Sequence, residues 1–177
     1  MKRLASLLLA AATLPAATEK PPLQRQTQTL VLLNATAGGG RAARIRQAIA
    51  SHLEALPETP MLFVSEDVSG ACRRVEALPS GSRVIVCGGD GSISRLLTPL
   101  VAGGHTLGIV PVGSGNDAAR ALGIAGMDWR SALNHALTAQ PEPADLGEIG
   151  WTDAAGTERR SLFISSACAG FDATVVD

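Results

Sequence analysis

Tyrosine is absent from this chain, and three Phe and two Trp make an aromatic fraction of only 3%. That removes the stacking platform on which proteins lay out single-stranded nucleic acid. No excess of positive charge compensates. Fifteen Lys and Arg stand against 16 Asp and Glu, for a net charge of -1 and a pI near 6.3. The electrostatic footprint of a nucleic-acid binder is missing as well, and no such partner is expected. Cysteine is scarce: Cys72, Cys87 and Cys168 are odd in number, far apart and without a CxxC pair, and only three His accompany them. This argues against a disulfide framework and against a zinc site. Cys87 lies inside an apolar run and reads as a small core residue. No apolar run reaches the roughly 20 residues that a membrane span requires.

What is present is a chain of 177 residues, 46% hydrophobic and 18% charged. That is about one domain with a real core, and too apolar to be disordered over most of its length. Nineteen Gly and ten Pro point to many tight turns. At the N-terminus, Lys2 and Arg3 precede the apolar stretch Leu4 to Ala12, and Leu14-Pro15-Ala16-Ala17 follows. The arrangement resembles a secretory signal but lacks a clean Ala-x-Ala site. Three readings stay open: a working signal, a membrane-touching or disordered extension, and a start codon placed too early. Residues 18–28, with Pro21-Pro22 and three Gln, read as a linker.

Beyond the linker, short apolar runs alternate with helical patterns. Thr29 to Leu33, Met61 to Val64, Val84 to Cys87 and Leu107 to Val110 read as buried strands. Between them, Ile45, Ile49, Leu53 and Leu56 recur at helical spacing until Pro57 and Pro60 end the helix. Further helices are expected over Ser69 to Leu78, about Ser92 to Val101, from Asn116, and from a cap at Asp128 to about Thr138. After the Pro141–Pro143 turn come two apolar stretches, Leu146 to Trp151 and Ser161 to Ala169, read as a pair of strands around the polar turn Asp153-Ala154-Ala155-Gly156. The alternation implies a parallel sheet covered on both faces, which binds ligands at the carboxyl ends of its strands.

Three glycine-rich segments follow directly after expected strands. In Gly88-Gly89-Asp90-Gly91-Ser92 the glycines allow a sharp turn and bring backbone N–H groups close to a phosphate, aided by the positive end of the next helix. Asp90 there suits a role toward Mg2+ or the hydroxyls of a nucleotide, or that of a plain helix cap. Ser92 suits a phosphate oxygen or a cap. Pro111-Val112-Gly113-Ser114-Gly115-Asn116-Asp117 forms a second such loop, with Asn116 as an orienting group and Arg120 one turn on, within reach of an anion. Asn34-Ala35-Thr36-Ala37-Gly38-Gly39-Gly40-Arg41 suits a loop wrapping a nucleotide, with Asn34 on the base or ribose. It is not a Walker A loop, since no Gly-Lys-Ser/Thr follows, nor does its spacing match the Rossmann fingerprint. Each segment alone also reads as an ordinary turn or capped loop.

Taken in order, these segments closely resemble the catalytic domain of the diacylglycerol and sphingosine kinases. The family's GGDG[TS] loop matches Gly88 to Ser92, and its P-x-G-[TS]-x-N-D-x-A-R segment matches Pro111 to Arg120. Asn34 to Arg41 is similar to its first loop. Ser65 falls where it often has a nucleotide-contacting Thr. Asp145-Leu146-Gly147, and Phe163 with Gly170-Phe171-Asp172-Ala173, resemble its later signatures. The resemblance implies an α/β fold with a three-layer parallel-sheet nucleotide-binding domain, of the kind shared by NAD kinases and diacylglycerol kinases, followed by the start of a β-rich second domain. The expected boundaries are an extension over 1–28, an ATP-binding domain over 29–143 and an incomplete second domain over 144–177.

The implied activity is transfer of the γ-phosphoryl group of ATP, with Mg2+, to a lipid hydroxyl at a membrane surface, diacylglycerol-like or sphingoid. Asp90 would be the catalytic and metal-organising residue. The expected nucleotide set is Asn34, Gly38, Gly39, Ser65, Gly88, Gly89, Asp90, Gly91, Ser92, Gly113, Ser114, Gly115, Asn116 and Asp117. The implied location is cytoplasmic and peripheral to the membrane, with export left open by the N-terminus. Departures from the family pattern are Ala35 for Pro, Ala118 for an aromatic residue, Ser165 for Asn and Arg95 for Glu. The family's base lies in the second domain, so this chain is expected to lack it. The rivals are a soluble-substrate kinase of the NAD kinase or phosphofructokinase type and a nucleotide-binding module without catalysis. Oligomeric state is not legible.

Overall fold

Apolar runs too short for a helix and bounded by turn residues become strands, and the amphipathic stretches between them become the helices that cover the sheet. A computed structural model describes residues 27–166. The signal-like stretch, most of the linker, Cys168 and Gly170 to Ala173 lie outside the described residues. Two compact units divide the described chain, 27–143 and 144–166.

In the first unit the order is β1 (Thr29–Asn34), α1 (Ala37–Glu54), β2 (Met61–Ser65), α2 (Val68–Glu76), β3 (Arg83–Gly88), α3 (Asp90–Ala102), β4 (Thr106–Pro111), α4 (Asp117–Ala121) and α5 (Trp129–Thr138). The strands form one parallel sheet in the order β2-β1-β3-β4. One crossover therefore leads from β1 outward to β2, and the next returns to place β3 on the other side of β1. The gap between the ends of β1 and β3 is the point where such a sheet opens a crevice.

Side chains alternate across the sheet. Val31, Leu33, Ile85, Cys87 and Val110 form a core with Ala42, Ile49 and Leu53 of α1 and Ala132 and Leu133 of α5. The alternate residues Leu30, Leu32, Val84, Val86 and Ile109 are equally buried. On that side α2 and α3 contribute Val75, Ile93, Leu96 and Leu100. Both faces are covered, so the unit is a three-layer α/β fold. Burial of each Leu, Ile or Val contributes roughly 1.5–3 kcal/mol, which is why near-continuous apolar strands are required here.

The helix ends follow local chemistry. Asp128 caps α5 as expected, accepting from the N–H groups of Arg130 (2.9 Å) and Ser131 (3.2 Å). Helix α3 begins at Asp90, two residues before the expected Ser92, because the GGDG loop turns directly into it. In α1 the residues Gly38, Gly39 and Gly40 hold left-handed backbone angles, so its regular turns start at Arg41.

The second unit holds an antiparallel hairpin, β5 (Gly147–Thr152) and β6 (Glu158–Phe163). Strand β6 begins three residues before the expected Ser161. Its first residues, Glu158, Arg159 and Arg160, are charged and exposed, so an apolar run could not mark them. Pairing does so instead: Arg160 meets Glu148 (3.1 Å), and Asp153 in the turn accepts from Thr157 (2.9 Å) and pairs with Arg159 (2.9 Å). Gly147 lies opposite Phe163, whose ring fills the space a Cβ would need. No helix among the described residues is long and apolar enough to cross a membrane.

Candidate active site

Register brings the strand ends into line. Asn34 is paired with Ser65, Leu33 with Cys87 and Gly88 with Pro111, so the loops after β1, β3 and β4 leave from one edge of the sheet. These are the three glycine-rich segments.

The loops touch through their backbones. The α-carbons of Gly89 and Gly113 approach so closely that a Cβ on Gly113 would stand 2.5 Å from the Gly89 α-carbon, and one on Gly89 3.0 Å from that of Gly113. A Cβ on Gly38 would strike the carbonyl oxygen of Val112, and its φ of 63° already favours glycine. Polar bonds complete the arrangement. Asp90 Oδ1 accepts from the Ala118 N–H at the start of α4 (2.9 Å). The Asn34 amide donates to Ser92 Oγ (2.7 Å), and its oxygen accepts from the N–H (3.1 Å) and hydroxyl (2.8 Å) of Thr36. Arg41 donates to the carbonyls of Gly38 (3.1 Å) and Gly113 (3.0 Å), bridging the first and third loops.

Between the loops lies an open cleft of about 460 Å³. Of the expected site residues, Asn34, Gly38, Gly89, Asp90, Gly91, Ser92, Gly113, Ser114 and Gly115 line it. Ser65 lines a recess of about 50 Å³ that shares Asn34, Thr36, Val68 and Ser92 with the cleft, and its hydroxyl donates to the Asp67 carbonyl. Gly88 is buried at the strand end, tight against Ser92. Gly39, Asn116 and Asp117 are not among the lining residues. Asn116 adopts a left-handed conformation (φ 60°) and donates to the Gly113 carbonyl (2.9 Å), shaping the loop from behind, while its own Oδ1 is buried without a partner. Asp117 is exposed and paired with Arg120, which also donates to the Gly115 carbonyl (2.7 Å).

Helix α3 opens onto this cleft with no side-chain cap. Its first N–H groups are left for a ligand or water, and the helix dipole favours an anion there. Asp90 is the one carboxylate on the lining and Arg95 the one cation. No cluster of three or more His, Cys, Asp or Glu is placed to hold a metal ion among the described residues. The Cys87 thiol beneath the loops is fully buried, and burial pushes its pKa up to about 12, so it is a core group and no nucleophile. A second cavity of about 410 Å³ runs along β4 and α5, with walls such as Leu107, Ile109 and Ala136. Its Arg83 is spent on the carbonyls of Ala136 (2.6 Å) and Ala139 (3.1 Å), and none of the three glycine-rich loops lines it.

Thr36, Val68 and Arg95 line the cleft and Arg41 braces it, beyond the nucleotide set expected from the sequence. Arg41 carried a usable signal, a cation directly after a glycine run. Val68 carried none, because its place depends on how α2 packs.

A family model described as the diacylglycerol kinase catalytic domain matches residues 28–149. The chain is 33% identical over 153 residues to a probable lipid kinase YegS-like protein of Pseudomonas aeruginosa, covering 84% of this chain and 46% of that one. It is 38% identical over 94 residues to a diacylglycerol kinase of Mycobacterium tuberculosis, covering 53% of this chain and 29% of the relative. A putative diacylglycerol kinase from Bacillus anthracis has the same fold, with TM-score 0.55, 21% identity and coverage of 70% of this chain and 45% of that one. This chain belongs to the diacylglycerol kinase catalytic domain family. It spans less than half the length of these relatives.

Proposed function

We propose that the cleft binds the phosphates of ATP and that the protein serves transfer of the γ-phosphoryl group to the hydroxyl of a lipid. The carrying observation is the convergence of the loops after β1, β3 and β4 on one cleft, with Gly89 and Gly113 in contact and α3 opening onto it uncapped. Family membership supports kinase chemistry, and the relatives' descriptions as diacylglycerol and lipid kinases support a lipid acceptor.

The residues present fit a nucleotide. Backbone N–H groups of Asp90 and Gly91 and the hydroxyls of Ser92 and Ser114 would hold phosphate oxygens. Asn34 would act by fixing Ser92, and Ser65 by shaping the recess beside it. They fit Mg2+ only as an ion carried by the phosphates. Asp90 has one oxygen committed to Ala118, and a hard cation bound through one or two carboxylates takes its other ligands from substrate and water. When bound, the ion would neutralise charge on the transferring group. Asp90 therefore has two jobs in this reading: it locks the second loop to the third, and its other oxygen would be available to the ion.

A second reading, a nucleotide-binding unit that transfers nothing, draws support from the lining itself. Among the described residues Asp90 is the single carboxylate on that lining, so no second one lines the cleft to take the proton of an acceptor hydroxyl. Transfer of labelled γ-phosphate from ATP–Mg2+ to a mixed lipid extract, run beside an ATP titration and Asp90→Asn, decides between them. Labelled lipid that disappears with Asp90→Asn supports the kinase reading for this chain. ATP binding without labelled lipid supports the binding unit, and loss of both sinks the proposal.

A further inference from the structure

Arg95 has no structural task that accounts for its place. It is exposed on α3, and among the described residues its side chain makes neither an ion pair nor a hydrogen bond. Yet it is the cation on a cleft whose other charged side chain is Asp90. Arg95 stands four residues after Gly91, so both lie on one face of α3, about 6 Å apart along its axis. Side chains on a helix lean toward its N-terminus, and for Arg95 that direction is toward Gly91. The space there is open: a Cβ on Gly91 would meet nothing within 4 Å. A guanidinium can therefore swing over Gly91 to the N–H groups that open α3.

Charge points the same way. Without Arg95, the only charged side chain on the lining would be the carboxylate of Asp90, since the Arg41 guanidinium at the rim is bonded to the carbonyls of Gly38 and Gly113. With it, the two lining charges balance, and the helix end leaves the cleft attractive to an anion. A planar guanidinium also presents paired N–H donors that suit phosphate oxygens.

We infer that Arg95 is a binding residue for the nucleotide's phosphate chain, closing over Gly91 to hold the phosphates against the start of α3. The inference rests on the phosphate reading of the cleft given above, and it adds the side chain that sets affinity for the polyphosphate. Its test uses the full chain, with ATP–Mg2+ and inorganic tripolyphosphate–Mg2+ as probes and a thermal melt of each variant as a check on folding. Arg95→Gln should weaken both probes about tenfold or more, flatten the salt dependence of binding, and leave the melt unchanged, since nothing in the fold leans on the side chain. Arg95→Lys should recover part of the affinity, because it keeps the charge and loses the fork. Arg95→Gln binding as tightly as the parent overturns the inference and leaves the proposed function standing. Arginine-dependent binding of tripolyphosphate without any phosphoryl transfer supports the inference while the kinase reading fails. A parent chain that binds neither probe overturns both.

Discussion

At Gly113 an added Cβ would stand 2.5 Å from the Gly89 α-carbon, so Gly113→Ala must push the loops after β3 and β4 apart. Backbone cannot yield as a flexible side chain can, and we expect a loss of about 1–3 kcal/mol in a denaturant melt, together with weaker ATP binding. Gly91→Ala is its counterpart. The new methyl would meet nothing and would sit in helix, so stability should hold or rise by up to about 1 kcal/mol. ATP binding should still fall, because the methyl occupies the space proposed for phosphate and the Arg95 fork. Equal effects of the two substitutions on stability would contradict the packing described. The thiols give an independent check. In a Cys168→Ser background, Cys87 should react with a thiol reagent only on unfolding, as its burial dictates, while Cys72, half-buried and with its pKa raised mainly by that burial, should react slowly in the folded protein. The glycines, Asp90, Ser92 and Ser114 of the cleft were legible in the loop motifs, but Val68 and Arg95 were not, since they reach it from helices; nor was the pairing of Asp117 with Arg120, since an i,i+3 pair and a ligand contact look alike in a sequence.

Among the elements, α5 is held at both ends by side chains. Asp128 accepts from the Ser131 hydroxyl (2.6 Å) and from the N–H groups of Ser131 and Arg130, and these bonds, the hydroxyl first, draw its carboxyl below the usual range. A pKa depressed in the folded state adds stability above the ordinary carboxylate range, and the gain is lost as pH falls through the lowered value. Asp128→Ala should therefore lower the melting temperature at neutral pH, with the difference shrinking in acid; Asp128→Asn, still a good cap, should lose less. At the other end Arg83 reaches from β3 to the last carbonyls of α5, and Arg83→Met should cost about 1–3 kcal/mol through those charge-assisted bonds. The Asp128 cap was readable because it precedes its helix in sequence. The Arg83 clasp was not, because it joins residues more than fifty positions apart. The start of strand β6, Glu158 to Arg160, was hidden for another reason: the exposed end of an antiparallel strand needs no apolar run, only a partner and a turn.

For the whole chain, alternation of strand and helix made a parallel sheet legible, and the order of the loop motifs made the family legible. Strand order was beyond such patterns, since whether a crossover leads left or right leaves no mark in the residues it joins. That order has an energetic consequence. Strands β1 and β3 are hydrogen-bonded on both sides and their interior residues are fully buried, so their amides can open only as the sheet comes apart. The β5–β6 hairpin has two strands, mostly exposed side chains, and charge pairs that each contribute little at a surface. Amide hydrogen exchange should then be slowest at Val31 to Leu33 and Val84 to Cys87, where it reports global unfolding, and faster by orders of magnitude at Ile149 to Thr152. A polypeptide of residues 24–143 should keep both the slow amides and a cooperative melt, because the core of the sheet lies within it. Slow exchange at Ile149 to Thr152 in the full chain, lost together with the slow amides of β1 when the chain is cut after Pro143, would mean that the hairpin is part of the same cooperative unit and that the parallel sheet does not fold without it.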